Sequence, residues 1–214
     1  MPRELDDLPY ARFLEAFDGE VELEGDYDCA RIRDLEFTEL DARSSRFNES
    51  ALSDLAFTGG TLSYTRFASV WLRRVTMTGT SLSDTSWMDA EIIDSAWAGV
   101  ELAGAGLRRV TFHDCKFDAV NFRGAALREV TFHDCVLREA DFGGARLRSV
   151  AFPGSRIDRL AVHRTTMTEV DFRQAATFTV AEGIEALRGA IINRVQLMEL
   201  APALAAAVGL QVPD

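Results

Sequence analysis

Two short segments carry the residue types that chemistry would need. Arg109-Val110-Thr111-Phe112-His113-Asp114-Cys115 and Glu129-Val130-Thr131-Phe132-His133-Asp134-Cys135 lie twenty residues apart and read almost alike. Imidazole, carboxylate and thiolate are all zinc ligands, so the doubled His-Asp-Cys invites a metal centre. A His beside an Asp also suits proton transfer. Whether these groups can converge depends on the elements that carry them.

Those elements are set by a period of five. Large apolar residues fall at Leu107, Phe112, Phe117, Phe122, Leu127, Phe132, Leu137, Phe142, Leu147 and Phe152. The count continues without a slip to Phe172 in one direction and Ile32 in the other, and only Ala42 on that path is small. The residue two places earlier is usually small or β-branched, as at Ala30, Ser45, Thr65, Val110, Cys115, Val130 and Ala145. Around Ala42 the sizes invert because Leu40 is large, a volume swap that a packed core tolerates. A helix would repeat every 3.6 residues and a simple strand every two. A unit of small-x-large-x-x instead sends two side chains inward and three outward, then turns. Four such units make a square coil, which explains the twenty-residue echo.

The chain resembles the pentapeptide-repeat proteins, whose motif is roughly Ala-(Asp/Asn)-(Leu/Phe)-x-x. Ala140-Asp141-Phe142-Gly143-Gly144, Val120-Asn121-Phe122-Arg123-Gly124 and Val170-Asp171-Phe172-Arg173-Gln174 carry the resemblance. Elsewhere the Asp/Asn position has drifted to Arg, Thr, Ser, Glu or Ala. The resemblance covers about two thirds of the chain, and it implies an all-β solenoid: a right-handed quadrilateral parallel β-helix. At four units per coil the expectation is about seven coils, a rod of roughly 34 Å, with short helical caps at the N- and C-terminal ends.

The same geometry decides the chemistry. Cys115 and Cys135 occupy the inward small-residue column, where free Cys acts as a compact hydrophobe. One coil apart, their backbones are within reach of a bridge, but reduced structural thiols are the favoured reading. His113 and His133 point outward, and His163 lies on a different face. Two His and two Asp on a flat wall make neither a closed ligand set nor a pocket. No glycine-rich phosphate loop or nucleophile elbow is present. The expectation is therefore no enzyme, no cofactor and no metal.

The chain is 47% hydrophobic and 27% charged, an ordinary balance for a single soluble domain. No apolar run is long enough for a membrane span, and Met1-Pro2-Arg3-Glu4-Leu5-Asp6-Asp7 lacks the basic and apolar parts of a signal segment. With three cysteines and no disulfide framework, the expected location is cytoplasmic. Net charge is −11, of which −7 falls in residues 1–26 and only −2 in 27–175. Such a protein should not bind a nucleic-acid backbone directly.

Three segments follow: an acidic N-terminal cap over 1–26, the solenoid over 27–175, and a C-terminal helical segment over 176–214. In the first, Tyr10, Phe13, Leu14 and Phe17 suit one face of a short helix that would close the first coil; a mobile acidic arm is the alternative. In the last, Ile184–Gly189 reads as a helical turn. A helix beginning near Val195 places Leu197, Leu200, Leu204 and Val208 on one side, with Pro202 expected to kink or divide it. That stripe is expected to cap the last coil, to form a homodimer, or both.

Sorted by coil position, Asp34, Asp54, Asp94, Asp114 and Asp134 form one outward column, interrupted by Arg74, while Arg108, Arg128 and Arg148 form another. Like charges one coil apart repel by about 0.9 kcal/mol even in water. Each Asp either bonds local backbone amides at a turn or serves in a row of carboxylates imitating a phosphate backbone. The resemblance extends to gyrase-interacting quinolone-resistance members of the family, which imitate duplex DNA. It implies DNA gyrase or topoisomerase IV as partner and pairing through C-terminal helices. A near-neutral solenoid and the arginine column count against that reading. The alternative is an interaction scaffold with a different partner.

Overall fold

A computed structural model describes residues 2–211. The chain winds as a parallel β-solenoid in which strands one coil apart pair in register. Leu107 lies beside Leu127 and Leu127 beside Leu147; Phe37, Phe57 and Met77 stack likewise. The cause of the coiling is visible in the backbone. Every fifth residue from Glu24 to Glu169 has a positive φ, and each marks a corner. Asp and Gly recur at these corners because the left-handed region costs them least. Tyr64, Arg74 and Arg109 adopt it as well, held there by the paired coils on either side.

Inside, the two inward columns are buried through the middle of the rod and only partly so near its ends, at Leu35, Phe37, Leu40 and Ala175. Aromatic rings stack coil on coil. Tyr27, Phe47, Phe67 and Trp87 form one pile with centroid spacings of 4.7, 5.2 and 3.9 Å, and Phe112, Phe132, Phe152 and Phe172 another at 4.9, 5.1 and 4.9 Å. The volume swap at Leu40 is met directly above it. Gly60 is the next residue in that column, and a Cβ there would meet the Leu40 backbone. Cys115 and Cys135 are buried free thiols, each donating to backbone carbonyls. The neighbouring Cys115 thiol and burial both push the Cys135 thiol up, so Cys135 is not poised to react.

The rod has about eight turns rather than seven. The count of five-residue units missed segments that leave the beat yet stay in the ladder. Glu15–Ala16 pairs with Ala30 and Arg31, Thr177–Glu182 pairs with Arg156–Ala161 after a register shift, and Ala190–Ile191 pairs with Val170 and Asp171.

The N-terminal segment differs most from expectation. It holds no α-helix, only 3-10 turns at Leu5–Asp7 and Ala11–Phe13. Phe17 packs edge-on against Tyr27 at 5.4 Å and so covers the first coil. Residues 3–14 do not cover that end. They run as a strap up one wall, where Leu8 and Tyr10 pack against Ala51, Trp71 and Ile93. The expected helical stripe is thus split: Tyr10 faces the wall, Phe13 is 53% exposed, and Phe17 joins the end of the core. The physical reason is that Ala51, Trp71 and Ile93 are apolar at outward positions, and burying them draws the segment sideways.

At the other end, a 3-10 turn at Ile184–Leu187 is followed by one α-helix, α1, Arg194–Ala207. Asn193 caps it, its side chain accepting from the Gln196 amide at 2.9 Å. The Gln196 side chain also reaches downwards: its Nε2 donates to Phe172 O at 2.7 Å and ties the helix to the last coil. Pro202 lies inside α1 without dividing it. It costs the helix one hydrogen bond, the one Met198 O would accept.

Candidate binding faces of the solenoid

The five aspartates of the acidic column all sit at left-handed corners, with φ between 50 and 57°. Their carboxylates do not bond local amides as turn aspartates would. That role belongs to a different position: Asp41, Asn121, Asp141 and Asp171 each accept from the amide two residues on. The corner aspartates are compensated by cations where a cation is near. Arg74 grips Asp54 with two bonds, at 2.6 and 2.8 Å, which hold the Asp54 carboxyl below the usual range. Arg73 approaches Asp94 at 3.6 Å, and Arg33 lies 3.7 Å from Asp34. The His133 ring nitrogen Nδ1 is 2.7 Å from Asp134. Asp114 has no ion pair among the described residues. The column is therefore one row in space but electrostatically graded: tied at Asp54, looser at Asp34 and Asp94, met by an imidazole rather than an arginine at Asp134, and open at Asp114.

The two histidines stack with ring centroids 5.5 Å apart, yet they serve different ends. His113 is nearly buried, with Nε2 3.4 Å from Glu91 Oε1; His133 is exposed. Among the described residues no group of three or more His, Cys, Asp or Glu is arranged to hold a metal ion.

Glu91 is the group that reading by coil position missed. It occupies an outward position but is buried beneath the strap. It accepts from the Arg3 amide at 2.9 Å and from Arg3 Nε at 2.6 Å. Burial raises its pKa, but the hydrogen bonds from His113 and Arg3 outweigh that and bring it to about 2. Trp71 Nε1 donates to Arg3 O at 3.0 Å, and Arg73 reaches Glu4 at 2.7 Å. The sequence did hold a signal for this contact: Ala51, Trp71 and Ile93 are outward, apolar and about one coil apart, the mark of a covered wall.

Of the residues considered for pairing, Leu200 is buried and Leu204 half-buried against the solenoid. Leu197 and Val208 are exposed. The helical stripe is thus divided between the cap and solvent. A neighbouring apolar depression on α1 is lined by Met198, Ala201, Pro202, Ala205, Ala206 and Leu210.

A uniform square coil, a corner every fifth residue and two inward columns define a parallel β-solenoid built of five-residue units. Residues 85–162 match the family model described as the pentapeptide repeat region. Among solved structures, the chain is similar to a trypsin-treated variant of QnrB1, a plasmid-mediated fluoroquinolone resistance protein. Identity is 13% and the TM-score 0.59, over 94% of this chain and 98% of that one. It also matches HetL, a pentapeptide repeat protein involved in heterocyst differentiation regulation from the cyanobacterium Nostoc sp. strain PCC 7120. There identity is 15% and the TM-score 0.38, over 80% of this chain and 92% of that one. At 13% identity the likeness to QnrB1 speaks for the fold alone. No curated protein matches this sequence.

Proposed function

We propose that this protein is a non-catalytic binding rod acting in the cytoplasm, that its partner is DNA gyrase or topoisomerase IV, and that it engages the DNA-binding surface by imitating a phosphate row. The observation that carries this reading is the corner column, which presents carboxylates at coil spacings of about 4.8 Å on either side of Arg74, unbroken from Asp94 to Asp134. The likeness to a fluoroquinolone resistance protein and the net charge of −11 support it. The grading of the column refines it: Asp114 and Asp134 are the contacts, because Asp54 is already neutralised by Arg74. The test is a gyrase supercoiling assay with and without a fluoroquinolone. The protein should inhibit supercoiling or protect it from the drug. Asp114→Asn with Asp134→Asn should weaken the effect about tenfold, if each lost contact is worth about 0.7 kcal/mol, within the range of an ordinary exposed ion pair. Asp54→Asn should change it little. A well-folded protein with no effect on either enzyme would sink the proposal and leave the scaffold reading.

A further inference from the structure

The wall that carries residues 86–88, 106–108 and 126–128 has the opposite character to the acidic column. Its floor is short: Ser86, Gly106 and Ala126 follow one another coil by coil. Along one side stand Arg108, Arg128 and Arg148, paired residue to residue in the ladder. Arg66 and Arg146 close the two ends of the floor, about 19 Å apart at four coil steps. All five arginines are exposed. Among the described residues Arg66, Arg108, Arg146 and Arg148 make no ion pair, and Arg128 meets only the adjoining Glu129, at 3.1 Å. Most other solenoid arginines, by contrast, are matched with a carboxylate, as at Arg43, Arg74, Arg109, Arg123 and Arg173. A stack of unpaired like charges at coil spacing is repulsive, and nothing in the core requires it. A flat, open floor edged by guanidinium groups is suited to an anionic partner.

We propose that this wall binds an acidic helical segment of a partner protein. Carboxylates at positions three and four apart on a helix lie about 5–6 Å from each other, close to the coil step, so successive carboxylates meet successive arginines. The short floor lets a helix approach closely, and the arginine fork suits carboxylate. A nucleic-acid strand is less well served. Non-specific strand binding uses aromatic platforms for base stacking, and Ser86, Gly106 and Ala126 offer none. The chain's net charge of −11 also opposes a long polyanion more than a short acidic segment. This wall is separate from the aspartate corner, so the inference stands whether or not gyrase is the partner.

The experiment is fluorescence anisotropy on the full chain with two probes: a fluorescein-labelled alanine-based helical peptide with glutamates three and four apart, and a single-stranded oligonucleotide of equal charge. The peptide should bind, and more weakly as salt rises. Replacing Arg108, Arg128 and Arg148 by Ser should cost about tenfold in affinity, whereas Arg43→Ser with Arg123→Ser on another wall should leave it within about twofold. Should the triple variant melt differently from the parent, Arg128→Ser alone should still show about a twofold loss. Absence of peptide binding, equal binding by parent and arginine variants, or an oligonucleotide bound as tightly as the peptide would each overturn the proposal.

Discussion

Glu91 shows how one residue can redirect a segment. A carboxylate at an outward coil position normally stays in water; here it is desolvated and then satisfied by Arg3 and His113. Its pKa is lowered from 4.5 to about 2, so the charged form is bound more tightly in the folded state. The stabilisation is complete above pH 4.5 and is lost as pH falls toward about 2. Hydrogen exchange of residues 3–14 should therefore accelerate through that window while the coil core stays protected. Glu91→Gln should release the same segment at neutral pH at a cost of about 1–3 kcal/mol. Unchanged exchange in the variant would mean that Trp71, Tyr10 and their neighbours hold the strap without the charge. Gly60 poses a backbone question at the same scale. Its φ is +72° and a Cβ there would run into the Leu40 backbone, so Gly60→Ala should destabilise by at least about 1–3 kcal/mol, the cost of the left-handed backbone before the clash is added, measured by thermal melting.

At the scale of elements, α1 separates two roles that one helical stripe had joined. Leu200 is 5% exposed and belongs to the cap; Met198 is 74% exposed and borders the free apolar depression. Leu200→Ala should lower stability by about 2–4 kcal/mol. If the depression pairs with a second copy, Met198→Glu should leave the melt nearly unchanged yet shift sedimentation from dimer to monomer. A parent protein that sediments as a monomer at all concentrations would end the pairing idea. The same division explains why helical periodicity joins capping and solvent-facing residues in one stripe: it groups residues by angle around the axis, while the docking of the helix on Phe172 and its neighbours decides which angles remain free.

For the molecule as a whole, stability is spread along a one-dimensional stack in which each coil contacts its neighbours. Removing residues 116–135, one full coil, joins Cys115 to Val136 and preserves both inward columns. The shortened protein should keep its parallel-sheet circular dichroism and a single melting transition at lower temperature. Removing only 116–118 shifts everything downstream out of the five-residue beat and places charged residues inward. That variant should lose cooperativity or fail to fold. Equal tolerance of both deletions would contradict the inward-column account of the core.

The coil was legible in the sequence because its cause is local and repeated. Each five-residue unit carries its own inward pair and its own turn, so Phe112, Phe122 and Phe132 announce the core without knowledge of distant residues. The acidic and basic columns were legible for the same reason, since the repeat maps sequence position directly onto a face. What lay outside the beat was decided only in three dimensions. The path of residues 3–14 depends on a wall some seventy to ninety residues away, at Trp71 and Glu91. The grading of the aspartate corner depends on which arginine the next coil supplies, as Arg74 does for Asp54. The free face of α1 depends on how the helix lands on the last coil. Periodicity constrains what repeats; burial and charge pairing between non-repeating parts require tertiary contact, and there the three-dimensional arrangement alone is decisive.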